Sequence, residues 1–218
     1  MINQILSDLI EIIKKELFKD VSNKINNACE ITLRKFMQEN NIYIHADFVA
    51  GYVYYEGRDY ILLNQYDFPY LSEIAKKNVL FHECMHLIST KKYGKENKKH
   101  DVGFVFRKLN FININEGLNE IASGYLYNKI YNDKYKFVKA YNLDRQLCNY
   151  LVDNIYEDKK EFLKDYIYEK PYSFYKKIFY YFNLNNLLEF KNAIDNIYRE
   201  YKKGYNLDNA IRKFITLR

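Results

Sequence analysis

With 218 residues, 48% of them hydrophobic and 28% charged, the chain has apolar material for one substantial buried core and is read as a single domain, residues 1–218. The net charge of +6 comes from lysines spread through nearly every segment, with few arginines. That distribution argues against a nucleic-acid-binding stripe, and no apolar run reaches the length of a membrane span.

Residues 2 to about 38 are predicted as helix in two pieces, with a break near residues 19–22. Ile2, Ile5, Leu6, Leu9, Ile12, Ile13 and Leu17 form the first apolar stripe; Val21, Ile25, Cys29, Leu33, Phe36 and Met37 form the second. Asp8 and Glu11 interrupt the first stretch and exclude a secretory signal. Three widely spaced cysteines, Cys29, Cys84 and Cys148, form no paired motif, so free thiols in a reducing, cytoplasmic setting are expected. From residue 42 to about residue 65 the pattern changes to β-branched and aromatic runs, with a turn at residues 56–59. This predicts a small antiparallel sheet.

Residues 67–70 break the pattern, and Ser72 is placed to cap a helix running to about Thr90. Within it, residues 79–90 read VLFHECMHLIST and contain His82-Glu83-x-x-His86. That spacing sets two imidazoles one turn apart on one face, with a carboxylate beside the first. Neutral imidazole nitrogens suit zinc, a catalytic zinc keeps one position open for water, and Glu83 is placed to take that water's proton. Shuffling this composition produces the spacing roughly once in two hundred sequences. The uncharged residues in and around the motif predict a helix buried on most sides, with Cys84 on a different face from the histidines and serving packing. The competing reading is a core helix holding two satisfied histidines.

Residues 91–99, KKYGKENKK, read as a solvated loop, and His100 follows. Residues 102–109 are apolar and ambiguous. Asn113 or Asn115 is expected to cap the next helix, which carries Asn115-Glu116-Gly117-Leu118-Asn119-Glu120. Glu116 and Glu120 share a face at i, i+4, and Gly117 and Gly124 would let this helix approach the first. Glu116 is taken as the third metal ligand and Glu120 as the carboxylate that accepts a ligating ring's outer N–H; the reverse assignment stays open. Residues 130–218 are predicted helical, with Pro171 opening one helix.

His-Glu-x-x-His followed by Asn-Glu-Gly-Leu-x-Glu resembles the gluzincin metallopeptidases, the class of thermolysin and the zinc aminopeptidases. The resemblance covers about residues 74–127, with 29 residues between His86 and Glu116. It implies zinc held by His82, His86 and Glu116, Glu83 as general base acting on a zinc-bound water, Glu120 behind the site, and a peptide or protein substrate. It also implies a zincin-like, mostly helical α+β domain of two lobes, about residues 1–92 and 110–218. An edge strand beside the cleft would pair with substrate, for which residues 60–64 are the segment to watch, and a Tyr or His would steady the oxyanion, with Tyr125, Tyr141 and His100 as candidates. No exopeptidase glycine motif is present, which favours endopeptidase action. The alternative is a nucleic-acid-binding or regulatory protein with a non-catalytic zincin-like fold. No cysteine stands at the spacing of a fourth ligand for a structural zinc.

Overall fold

The first helix, α1 (Ile2–Leu17), carries its stripe as expected: Ile2, Ile5, Leu6, Leu9, Ile12 and Ile13 are all buried. It ends where Phe18 turns into the left-handed region, φ 54°. The structure, a computed structural model, describes residues 1–25, 28–45, 47–93, 99–103, 112–137, 139–169, 171–204 and 206–216.

After the short α2 (Ser22–Ile25) the chain departs from the expected second helix. Ala28–Thr32 is a strand, β1, and helix resumes only in α3 (Leu33–Asn40), capped by the Thr32 side chain on the Lys35 amide. The apolar residues at 25, 29 and 33 imitate a helical repeat, but within β1 only Ile31 is buried; Cys29 and Glu30 face solvent. Parallel pairing of residues 28–32 with residues 59–63 decides the local conformation, and propensity does not.

The predicted hairpin is present. β2 (Ala50–Tyr55) and β3 (Arg58–Leu63) pair antiparallel around Glu56 and Gly57, both at positive φ (46° and 84°), as a tight two-residue hairpin turn requires. Residues 42–45 and 47–49 lie outside any strand. The sheet order is β1-β3-β2, so the sheet is mixed and not purely antiparallel. Residues 60–64 are consequently not an edge: β3 is central, with Ile61, Leu62 and Leu63 buried, and β2 is the edge strand near the site. The most continuous apolar run took the position covered on both faces. On one face Ile31, Leu62, Leu33 and Phe36 make a small cluster with α3; on the other Ala50, Ile61 and Leu63 join the main core.

α4 (Glu73–Ser89) starts at Ser72, whose hydroxyl accepts from the Ala75 amide. The segment expected as a solvated loop, residues 91–99, opens with a short strand, β4 (Lys91–Tyr93), and ends at the start of its antiparallel partner, β5 (Lys99–Asp101). α5 (Ile112–Ile130) already includes Asn113 and Asn115, so neither caps it, and the ambiguous apolar run at residues 102–109 lies largely outside the described residues. α6 (Asn142–Ile155), α7 (Lys159–Tyr168), α8 (Pro171–Phe182), α9 (Leu187–Lys202) and α10 (Leu207–Thr216) complete a mostly helical α+β chain, with Pro171 opening α8. One contiguous apolar cluster runs from Ile2 through α4 and α5 to Ile211. No described helix is long and apolar enough to cross a membrane.

Candidate metal centre

α4 is buried almost all round from Leu80 to Thr90, so its side chains divide among three neighbours. Phe81 packs edge-on against Tyr127 of α5, and Cys84 is fully enclosed in the main core, as expected of a packing residue. His82, Glu83 and His86 point to the remaining side, where α5 and β2 meet. α5 is held against α4 by Asn119, whose amide donates to the His82 carbonyl at 3.0 Å while its oxygen accepts from the Tyr166 hydroxyl at 3.1 Å.

This docking brings Glu116 and Glu120 onto the histidines as their shared helical face predicts. Glu116 Oε2 is 3.1 Å from His82 Nε2 and 3.3 Å from His86 Nε2, and the two Nε2 atoms are 3.1 Å apart. Zinc with bonds of about 2.0–2.1 Å in a tetrahedral arrangement separates its ligand atoms by about 3.3 Å. The three donors therefore form one face of a tetrahedron of the right size, and they are the one such group among the described residues. Glu120 lies on the far side of the ring: its Oε1 is 2.7 Å from His82 Nδ1, a contact that would leave Nε2 to face a cation. His86 Nδ1 is buried with no partner among the described residues; a proton there likewise leaves Nε2 free for a cation.

The protonation pattern follows from burial and proximity. Burial favours a neutral His82, but hydrogen bonds to Glu116 and Glu120 outweigh it and push its pKa up to about 10. Glu116 is opposed by burial but held well below the usual carboxylate range by the two histidines. Burial raises the Glu83 carboxyl, against the pull of the same histidines.

Glu83 and His86 line a cleft of about 360 Å³ whose other walls are Phe48, residues 50–53 of the β2 edge, Val102, Asn115, Glu116 and Tyr141. Tyr141 lies almost parallel to His82, 13° between planes and 6.1 Å between centroids. Tyr125 instead packs against the main core and is no part of this cleft. His100 has its backbone in β5, paired with Lys92; its side chain lies outside the described residues.

Both helix glycines face elsewhere than expected. A Cβ on Gly117 would meet the Asp144 carbonyl of α6 at 2.6 Å, and one on Gly124 would meet the Phe137 ring at 2.8 Å, so neither sets the approach of α5 to α4. Sequence reasoning also missed three supports. Asn119 follows Glu116 by three residues, a same-face spacing that could have marked it. Tyr135 donates to Glu120 Oε1 at 2.9 Å, and the Tyr52 backbone amide donates to Glu83 Oε2 at 2.8 Å; nothing in the sequence singles either out among 24 tyrosines.

No protein-family model, no curated protein and no solved structure matches this chain.

Proposed function

We propose that the chain is a zinc-dependent endopeptidase of zincin-like, two-lobed build that acts in the cytoplasm. The observation that carries the reading is the triangle of His82, His86 and Glu116 donors at 3.1, 3.1 and 3.3 Å, with the Glu83 carboxylate in the cleft beside it. A zinc ion held there supplies a Lewis acid that polarises a carbonyl and acidifies water.

The remaining work falls to the protein. Glu83 takes the proton of the attacking water and delivers it to the departing amine, a task suited to a carboxyl raised by burial. Glu120, fully buried and fixed by Tyr135, orients the His82 ring. The outer edge of β2 offers backbone groups to a peptide laid alongside as an added strand. Tyr141 is the hydroxyl we assign to the developing oxyanion, on its position in the cleft wall. Three free cysteines accord with a reducing compartment.

The test is metal content by mass spectrometry on untagged wild type, His82→Ala, Glu116→Gln and Glu83→Gln, followed by cleavage of a mixed peptide library. The expected result is one zinc in wild type and Glu83→Gln, none in the ligand variants, and internal cleavage by wild type alone. A wild type that cannot be loaded with zinc would refute the proposal. A loaded wild type that cuts no peptide would refute its substrate class.

A further inference from the structure

Asp59 is fully buried in the middle strand of the sheet, yet the chemistry just proposed gives it no task. Its surroundings connect it to the site. Asp59 Oδ1 accepts from the Tyr52 hydroxyl at 2.7 Å, and Oδ2 binds the ammonium of Lys92. Lys92 also lies 4.9 Å over the ring of Tyr54, and it belongs to β4, only three residues beyond Ser89 at the end of α4.

The Tyr52 backbone completes a circuit. The Asn64 amide bonds the Val49 carbonyl, so residue 49 faces β3, and along an antiparallel edge this orientation alternates. Residues 50, 52 and 54 thus turn their amides outward. The amide of Tyr52 goes to Glu83 Oε2 at 2.8 Å. The path from α4 therefore runs through Lys92, Asp59 and Tyr52 and returns to α4 at Glu83. The tyrosine is pinned at its hydroxyl end by a buried carboxylate that is itself pinned by a lysine, and its other end holds the carboxylate of the proposed base.

We propose that Asp59 is a positioning residue for Glu83: by fixing Tyr52 it keeps the strand-edge amide on Glu83 Oε2, and with it the aim of that carboxylate into the cleft. The contacts stand independently of any activity, whereas the consequence for turnover rests on the peptidase reading above. The bland alternative is that Asp59 and Lys92 only hold the hairpin to β4.

Two variants separate these. Asp59→Asn removes the charge that holds Lys92, and Tyr52→Phe removes only the hydroxyl, so the second serves if the first fails to fold. Hydrogen exchange at the Tyr52 amide, read by NMR without substrate, should quicken at least tenfold in each, approaching the rate in Glu83→Ala. Zinc should remain at one per chain. With a cleaved peptide as substrate, kcat should fall about tenfold while KM stays within twofold, the signature of a misaimed base. Tyr52 amide exchange at the wild-type rate in Tyr52→Phe would overturn the proposal, as would kcat falling only in step with the folded fraction. A wild type that cuts no peptide would refute the peptidase reading and leave the amide to decide this one.

Discussion

The Nε2 atoms of His82 and His86 face each other at 3.1 Å, with one oxygen of Glu116 within 3.3 Å of both. A single proton satisfies one edge of that triangle at a time. A divalent cation would satisfy all three together, and this asymmetry favours the proposed ligand set over a packed pair of core histidines.

The metal-free site should carry a proton on His82 at neutral pH, because its pKa is pushed up to about 10. A cation needs the bare nitrogen, so binding should release that proton, and apparent affinity should rise about tenfold per pH unit through neutrality. Calorimetry in buffers of different ionisation enthalpy counts the proton; zero release would contradict the assignment. Stability has the matching sign. A raised folded pKa contributes fully below 6.5 and is lost as pH climbs through about 10, so metal-free protein should lose melting temperature over that interval.

On the proposed reading, in which the carboxylate fixes a ligand and is not one, Glu120→Gln should weaken zinc binding by about 10- to 100-fold without abolishing it. Tyr135→Phe removes a donor from that buried carboxylate and should cost about 1–3 kcal/mol of stability, read by denaturant unfolding. Complete loss of zinc in Glu120→Gln would restore the reverse assignment.

Gly117→Ala places a methyl 2.6 Å from the Asp144 carbonyl and 2.7 Å from Cys148 Sγ. Helix propensity favours alanine by about 1 kcal/mol, but overpacking against backbone costs about 1–3 kcal/mol, so net destabilisation is expected. The displaced neighbour is Glu116, so zinc content should drop as well. Gly124→Ala crowds the exposed Phe137 ring, which can swing aside, and meets Tyr135 only at an ordinary 3.5 Å, so it should be milder. Thermal melts and metal analysis of both variants make the comparison; equal effects would argue against this ranking.

Tyr141→Phe should keep zinc and KM while lowering kcat by about 10²- to 10³-fold if its hydroxyl steadies the oxyanion. Unchanged kcat in a loaded variant would remove Tyr141 from the site.

The clustering of the candidate site's side chains was legible because its residues are local. His82, Glu83 and His86 lie within five residues on one helix, and Glu116 and Glu120 share a helical face, so spacing alone aligned them. What escaped depends on distant partners. β1 carries a false helical repeat, and its strand identity comes from β3, about thirty residues on. β4 and β5 are lysine-rich and look like loop until their pairing is seen. Strand order is a property of the sheet, so the edge beside the cleft was assigned to the wrong strand of a correctly drawn hairpin. Asp59 reads as a turn residue beside Gly57, and only the fold buries it.

The parallel pairing of β1 with β3 also bears on the order in which the chain can be built. Ala28–Thr32 precedes its only described strand partner by about thirty residues, and a parallel partner cannot be supplied by a neighbouring tight turn. The β2–β3 hairpin, by contrast, closes as soon as Leu63 emerges. The first strand of the sheet to be made therefore has no place in it until the last has been made, and it joins across a long loop where the hairpin joins across a turn.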